Sequence, residues 1–144
     1  MFRACQKEFS NADITIMSAA VADYSPAKTA NEKIKKSEDK LTIELIKTKD
    51  ILKDLGEKKK KNQVLVGFAL ETNNGKKNAL EKLNSKKADM IVLNSLEDKG
   101  AGFGHDTNKI TIFDKKGKAY KFDMKSKQEV AKDIVDTIIQ LHYA

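Results

Sequence analysis

The fold is decided by residues 64–94, VLVGFALETNNGKKNALEKLNSKKADMIVLN. Residues 64–70 form a continuous apolar run, and residues 90–94 form a second one, each with the length of a buried strand. Between them, ETNNG is rich in turn residues, and residues 75–88 have the apolar spacing of an amphipathic helix. A strand, a helix and a strand in this order predict a crossover between parallel strands.

The segment before this unit predicts a short helix and a strand. Phe2, Cys5 and Phe9 are spaced as one face of a short helix. Ile14, Ile16 and the small residues that follow predict a buried strand. That strand is expected to end in a loop over residues 23–26, because proline stops regular structure.

Residues 28–56 carry weaker signals. Residues 28–40 are polar and without periodicity, which predicts a mobile loop, and we expect residues 35–40 to act as a lid. Apolar and polar residues alternate over 41–45, which predicts a half-buried strand. A short helix capped by Thr48 and closed by Gly56 follows.

The carboxyl-terminal third predicts a hairpin and a helix. Residues 109–114 and 118–123 flank a turn that contains Gly117, as in an antiparallel hairpin. The final helix opens with a capping box formed by Ser126 and Glu129. The predicted fold class is α/β: a Rossmann-like mixed sheet with helices on both faces and a carboxyl-terminal β-hairpin plus helix, in one domain over residues 1–144.

The composition favours an anionic small-molecule partner. Lysine and arginine number 28 against 21 acidic residues, a net charge of +7, and only one of the basic residues is an arginine. Arginine is the usual reader of base edges, whereas lysine serves as a point charge for phosphate, so we expect no nucleic-acid partner. The chain shows no apolar run of membrane-spanning length and no apolar signal core, and its single cysteine fits a reducing compartment. We therefore expect a cytoplasmic protein without a membrane partner.

Familiar catalytic sets are not evident in the sequence. Two histidines far apart and one cysteine are too few soft ligands for a closed zinc site. His142 fits the last turn of the terminal helix, where a basic side chain complements the helix dipole. All glycines lie at or beyond Gly56, so the first third has no glycine-rich phosphate cradle. No protein-held metal site is predicted.

A few side chains stand out as candidates for anion binding. Lys33 opens KIKK after the proline-terminated loop, and Lys82 and Lys86 share one face of the predicted helix at an i, i+4 spacing. The spacing alone also fits ordinary surface lysines, which is the more frequent case. Asp23 and Phe68 also have ordinary structural explanations: the Asp23 carboxylate can cap the turn before Pro26, and Phe68 can be a core residue at the end of a buried strand.

Six motifs carry a resemblance to a known family. MSAAVADYSP (17–26), EKIKK (32–36), KDIL (49–52), VGFALET (66–72), KLNSKKAD (82–89) and GFGHDTNKI (102–110) follow the order found in the phosphopantothenoylcysteine synthetase family. In many bacteria this domain is the carboxyl-terminal half of a bifunctional flavoprotein whose other half is a decarboxylase. The resemblance implies CTP-dependent ligation of cysteine to 4'-phosphopantothenate through an acyl-cytidylate, with Mg²⁺, and FMN only where a decarboxylase domain is fused upstream.

The resemblance also implies a set of CTP-binding residues. Lys33 is the implied catalytic residue, at the phosphoryl group under attack, and Lys82 and Lys86 close on the phosphates. The complete implied set is Met17, Ser18, Ala19, Asp23, Lys33, Lys49, Asp50, Ile51, Leu52, Phe68, Lys82 and Lys86. Thr48-Lys49-Asp50 departs from the family's usual Asn-Pro-Asp, and Ser25 replaces a commonly basic residue.

The resemblance has consequences for the extent and assembly of the chain. The family's amino-terminal segment, with its glycine-rich loop and an asparagine assigned to the acyl-cytidylate step, has no counterpart in the printed sequence. We expect the chain to be the carboxyl-terminal part of the domain, to form a homodimer, and to show no ligase activity by itself. Two alternatives stay open: a lysine-rich nucleotide- or nucleic-acid-binding module that uses Lys58–Lys61, and a structural or dimerisation half without catalysis.

Overall fold

The computed structural model describes residues 1–34, 40–95 and 104–143. The helices and strands, in chain order, are α1 (Phe2–Phe9), β1 (Ile14–Met17), β2 (Tyr24–Pro26), β3 (Leu45–Lys47), α2 (Ile51–Lys58), β4 (Val64–Glu71), α3 (Gly75–Ser85), β5 (Met90–Ser95), β6 (Thr107–Asn108), β7 (Ile110–Asp114), β8 (Ala119–Lys121), β9 (Lys125–Ser126) and α4 (Lys127–His142).

A five-stranded mixed sheet has the order β1-β4-β5-β7-β8. β1, β4 and β5 run parallel, and β7 and β8 add an antiparallel hairpin beside β5. The register pairs Met17 with Gly67 and Val66 with Met90. Helix α3 connects β4 to β5, so the predicted crossover and the predicted hairpin are both confirmed.

Both faces of the sheet are covered by helices. Successive side chains of a strand point to opposite faces, so a continuous apolar run such as β4 needs a cover on each face. Val64 and Val66 point to one face, where they pack with Val130, Ile134 and Ile138 of α4. The intervening side chains point to the other face, which α1, α2 and α3 cover. The predicted fold class is confirmed.

The chain divides into two compact units, one of residues 1–18 with the part from residue 51 onward, and one of residues 19–50. The smaller unit contains an antiparallel ribbon in which β2 pairs with β3. The predicted half-buried strand over 41–45 is wrong: β3 begins at Leu45, and Leu41, Ile43 and Leu45 are 68%, 59% and 54% exposed. A two-stranded ribbon offers no second layer of its own to bury such residues.

Two further expectations for this unit are corrected. Residues 23–26 are not a loop, because Tyr24–Pro26 is strand β2 and Pro26 pairs with Leu45 at its end, where a missing N–H is tolerated. Thr48 is not the N-cap of α2, because the helix begins at Ile51 and Asp50 directly precedes it. The Thr48 hydroxyl donates to the Ala22 carbonyl at 2.7 Å. The predicted lid over residues 35–40 lies outside the described residues except for its last position.

In the larger unit, strand β1 is not buried as predicted. Ile14 and Ile16 are 40% and 39% exposed, because β1 lies at one edge of the described sheet and α4 covers the neighbouring strands. None of the described helices is long and apolar enough to cross a membrane.

The predicted ends of two helices are also corrected. Gly56 does not close α2, which continues to Lys58. Helix α3 ends at Ser85 rather than at residue 88, because Lys87 takes a left-handed conformation with φ of 50°. The predicted turn glycine is confirmed, since Gly117 has φ of 77° between β7 and β8.

The capping box of α4 is confirmed. The Ser126 hydroxyl accepts from the Glu129 N–H, and the Ser126 N–H donates to the Glu129 carboxylate at 3.0 Å. The hydroxyl and N–H of Ser126 hold the pKa of Glu129 below its ordinary value. This contribution to stability is therefore present above the ordinary glutamate pKa and is lost as the pH falls through the lowered one.

Gly56 provides a test of how α2 packs against the end of α3. A β-carbon at this position would overlap the Lys86 carbonyl oxygen, which belongs to backbone and cannot rotate away. Gly56→Ala should therefore lower the free energy of unfolding by about 1–3 kcal/mol, measured by urea denaturation. In an unhindered helix the same change stabilises by about 0.5–1 kcal/mol. Glu57→Ala, at an exposed site on the same helix, is the control, and a stable Gly56→Ala chain would contradict the close approach.

Candidate functional site

The carboxyl ends of β1 and β4 form the best candidate for a ligand site, and backbone geometry explains its shape. The Val64 N–H bonds toward β1, to the Asp13 carbonyl, and the Leu65 carbonyl bonds toward β5, to the Asp89 N–H. Since backbone groups alternate in direction along a strand, the Phe68 carbonyl points toward β1. The β1 pairing ends at Met17, opposite Gly67, so the next carbonyl of β4 has no strand partner there.

Lys82 supplies the missing partner. Its ammonium donates to the Phe68 carbonyl oxygen at 2.7 Å, and its side chain is half-buried. A lysine on α3 reaches this point because side chains on a helix tilt toward the helix N-terminus, which here lies at the carboxyl edge of the sheet. The result is a positive charge fixed in the crevice between the carboxyl ends of β1 and β4. The carboxyl edge is the side of an open α/β sheet at which ligands bind.

Gly67 holds α2 close to this edge. A β-carbon at Gly67 would lie 2.6 Å from Leu52 Cδ2 and 2.9 Å from Ile91 Cδ1. Leu52 can thus pack directly on the strand, one residue before Phe68. The small residue keeps the amino-terminal turn of α2 near the end of β1, whose Met17 packs against the same apolar cluster.

A third strand end, that of β5, carries Asn94. Its Oδ1 atom is buried and has no hydrogen-bond partner among the described residues. Sequence reasoning treated Asn94 only as the last residue of a strand. The one available signal was an amide at the end of an otherwise apolar run, MIVLN.

The larger unit brings five of the predicted site residues to one neighbourhood. Met17 and Ser18 end β1, Leu52 packs against Gly67, and Lys82 bonds to Phe68. The side chain of Phe68 packs on the α4 face, so its core role and its place at the edge are compatible.

Two predicted residues of this unit are placed differently. Ile51 is buried in the cluster of α1, α2 and β4, so only its backbone could meet a ligand. Lys86 is the C-cap of α3, one turn beyond Lys82 and farther from the carboxyl edge. Its carbonyl lies against Gly56.

The remaining predicted residues belong to the smaller unit. Ala19, Asp23, Lys33, Lys49 and Asp50 are all exposed there. The carbonyl of Asp23 accepts the Thr48 N–H at 2.8 Å, so this segment is fixed by backbone bonding. Lys33 is the last residue but one before the undescribed residues 35–39.

The lysine run at residues 58–61 is largely engaged within the protein. Lys58 pairs with Asp54 at 2.9 Å, Lys59 pairs with Asp89, and Lys60 donates to the Ser10 carbonyl at 3.0 Å. Carboxylates thus offset the charge of Lys58 and Lys59, whereas Lys60 keeps its charge because its acceptor is a neutral carbonyl. His142 lies in the last turn of α4 as predicted.

The sheet and the helices on its two faces define a Rossmann-like α/β domain, with a lysine fixed at the carboxyl edge between two parallel strands. Comparison with known proteins identifies the family within this fold class. The chain belongs to the family described as DNA/pantothenate metabolism flavoprotein C-terminal domain, whose model matches residues 1–141. The predicted family is thereby confirmed.

Relatives with known names match nearly the whole chain. It is 45% identical over 141 residues to the coenzyme A biosynthesis bifunctional protein CoaBC of Bacillus subtilis (strain 168), covering 98% of this chain and 34% of that protein. It is 52% identical over 141 residues to a protein of an unknown prokaryotic organism named cysteine/cysteine sulfinic acid decarboxylase, covering 98% of this chain and 39% of that protein. The crystal structure of the C-terminal domain of CoaBC is similar with a TM-score of 0.77 at 36% identity, covering 97% of this chain and 60% of that one. The chain thus spans little more than a third of the curated relatives.

The bond between Lys82 and Phe68 gives a direct test of the crevice. Lys82→Met keeps most of the apolar stem but leaves the Phe68 carbonyl without its donor, so the free energy of unfolding should fall by about 1 kcal/mol. Chemical denaturation measures the change. Lys76→Met, at an exposed position of the same helix, is the matched control and should stay within about 0.5 kcal/mol of the unchanged chain. Equal stabilities of the two variants would show that Lys82 is not fixed at the strand end.

Proposed function

We propose that this domain carries the CTP-dependent ligation of cysteine to 4'-phosphopantothenate. The observation that supports it best is the fixed ammonium of Lys82 between β1 and β4, in a chain 45% identical to CoaBC of Bacillus subtilis over 98% of its length. The net charge of +7 favours a substrate with several phosphates. The similarity to a protein named as a decarboxylase covers 39% of that protein. That name therefore also refers to the larger part of the protein, which has no match in this chain.

The proposed reaction has two steps. The carboxylate of 4'-phosphopantothenate attacks the α-phosphorus of CTP, the bond to the bridging oxygen breaks, and pyrophosphate leaves. The amine of cysteine then attacks the acyl carbon of the acyl-cytidylate, CMP leaves, and the amine loses a proton. Both steps spread negative charge over phosphoryl oxygens, which fixed cations stabilise.

Residues of the larger unit provide the preformed part of the proposed nucleotide site. Lys82 is held by a backbone carbonyl, so it offers its charge with little loss of side-chain entropy. The backbone at Met17 and Ser18 leaves the sheet beside it. We assign the nucleotide to this crevice, with Leu52 and Phe68 as its apolar boundary and Lys86 as a second cation on α3.

For the exposed residues of the smaller unit, the proposal rests on the family resemblance alone. Lys33 meets the phosphoryl group under attack, Asp23 hydrogen-bonds the nucleotide, and Ala19, Lys49 and Asp50 contribute further contacts. Among the described residues, no group of three side chains could hold a metal ion by itself. We propose that Mg²⁺ is bound through the triphosphate oxygens and water, as is common for this ion, where it neutralises phosphate charge.

We further propose that the domain functions as a homodimer. The β2–β3 ribbon exposes Leu45 and Ile46, and the segment directly before β3 exposes Leu41 and Ile43; each of these side chains is more than half accessible. An isolated two-stranded ribbon is marginally stable in water, and a second copy would cover these side chains. A closed pair with two-fold symmetry is the commonest arrangement.

Nucleotide choice tests the proposed activity. In the full-length protein, pyrophosphate release in the presence of 4'-phosphopantothenate and cysteine should depend on CTP, with ATP far poorer. A coupled pyrophosphate assay over a range of each nucleotide measures kcat/KM for both. Equal values for CTP and ATP would contradict the cytidine assignment, and release without 4'-phosphopantothenate would contradict the acyl-transfer reaction.

Replacing Lys33 tests the catalytic assignment. A cation that stabilises transition-state charge contributes on the order of 3 kcal/mol, so Lys33→Ala should lower kcat by roughly two to three decades. Lys28→Ala removes another exposed lysine of the same unit and should leave kcat nearly unchanged. Circular dichroism confirms that both variants are folded. Near-normal turnover of Lys33→Ala would contradict the catalytic assignment and show that Lys33 is an ordinary surface lysine.

A further inference from the structure

Asn94 occupies an unusual position for an amide. It lies in β5 between two paired strands, with Leu70 of β4 and Ile110 of β7 as its register partners. Preceding residues on the same face, Met90 and Val92, belong to the core under α4. An amide therefore stands at the next position of an apolar row, and its Oδ1 atom is buried without a hydrogen-bond donor among the described residues.

Keeping such an atom costs the folded protein free energy. A buried carbonyl that loses its bond to water and gains none in exchange destabilises the fold, whereas an apolar side chain of the same size would not. Leucine is close to asparagine in size and would continue the row of Met90 and Val92. An unpaired buried acceptor in a native fold calls for an explanation, and a donor that arrives with a ligand is one.

The location fits a ligand that lies across the carboxyl edge. β1, β4 and β5 are parallel, so the ends that carry Met17, Phe68 and Asn94 face the same edge of the sheet. Lys82 reaches this edge from the face that α3 covers, whereas Asn94 follows the face that α4 covers. A substrate whose phosphate meets Lys82 would have to cross the edge to bring another group to Asn94.

We propose that Asn94 is a specificity residue, whose Oδ1 accepts a hydrogen bond from an N–H group of a bound substrate. This inference rests on the proposed function. Three sources share the chemistry: the exocyclic amine of cytosine, an amide N–H of 4'-phosphopantothenate, and the amine of cysteine. Each belongs to a different substrate, so the kinetics can identify the donor.

The first arm of the test measures stability without substrates. Asn94→Leu should leave the Tm unchanged or raise it, because the unpaired acceptor is removed. The matched control is Asn78→Leu, since the Asn78 amide donates to Glu71 Oε2 at 2.6 Å and its loss should lower the Tm by about 3 °C. A decrease for Asn94→Leu as large as that of the control would assign Asn94 a structural partner and overturn the proposal.

The second arm measures kcat and the three KM values of the full-length protein. Asn94→Leu should raise the KM of one substrate by about tenfold or more and leave the other two nearly unchanged, because one N–H donor loses its acceptor. Unchanged constants for all three substrates would overturn the role of Asn94 while leaving the ligase assignment intact. If the unsubstituted protein shows no CTP-dependent turnover, the proposed function fails first, and this inference fails with it.

Discussion

The parallel pairing of β4 with β5 is the constraint on which the candidate site depends, and a buried carboxylate fixes its start. The Asp89 N–H donates to the Leu65 carbonyl, and the Leu65 N–H donates to Asp89 Oδ2, both at 2.8 Å. Lys59 pairs with the same carboxylate, with both side chains largely buried. Loss of one partner from a buried ion pair leaves an uncompensated charge, so this contact specifies the register strongly. A shift by one residue would turn every side chain of β5 to the opposite face.

The register in turn determines the direction of each backbone carbonyl at the far end of the sheet. The backbone carbonyl of Leu65 points toward β5, so the carbonyl of Phe68, three residues later, points toward β1. The β1 pairing has ended there, which leaves the Phe68 carbonyl without a strand partner. A single donor is enough there, and lysine suits the task because its flexible stem lies along apolar surface while its ammonium reaches the edge. The geometry of the candidate site is thus a consequence of strand direction and strand length, and Lys82 is the side chain that occupies it.

Sequence periodicity predicted the parts of the fold in which burial dictates the residue types. The two apolar runs over 64–70 and 90–94 predicted β4, β5 and their crossover, because strands covered on both faces exclude polar residues. The capping box at Ser126 predicted the start of α4 for a similarly local reason. The ribbon at 41–47 was predicted poorly, since alternation at 41–45 resembles a half-buried strand whether or not a second layer covers it. The exposure of Ile14 depends on the neighbours of β1, which periodicity does not encode.

For the candidate site, the sequence indicated which types of residue are present but not which hydrogen-bond or ion-pair partners they have in the fold. The spacing of Lys82 and Lys86 suggested a shared phosphate, and the structure adds that α3 ends between them and that the Phe68 carbonyl holds the Lys82 ammonium at the strand end. The excess of lysine similarly overstated the unpaired charge, because Lys58 and Lys59 face carboxylates, one of them distant in sequence and one a helical turn away. Asn94 escaped notice for the opposite reason: an amide at a strand end is ordinary until its surroundings are known, and no donor faces it among the residues that the structure describes. Partners of this kind arise from tertiary contacts. Positions at which a polar group is buried without compensation are therefore where the structure adds most to a reading of the sequence.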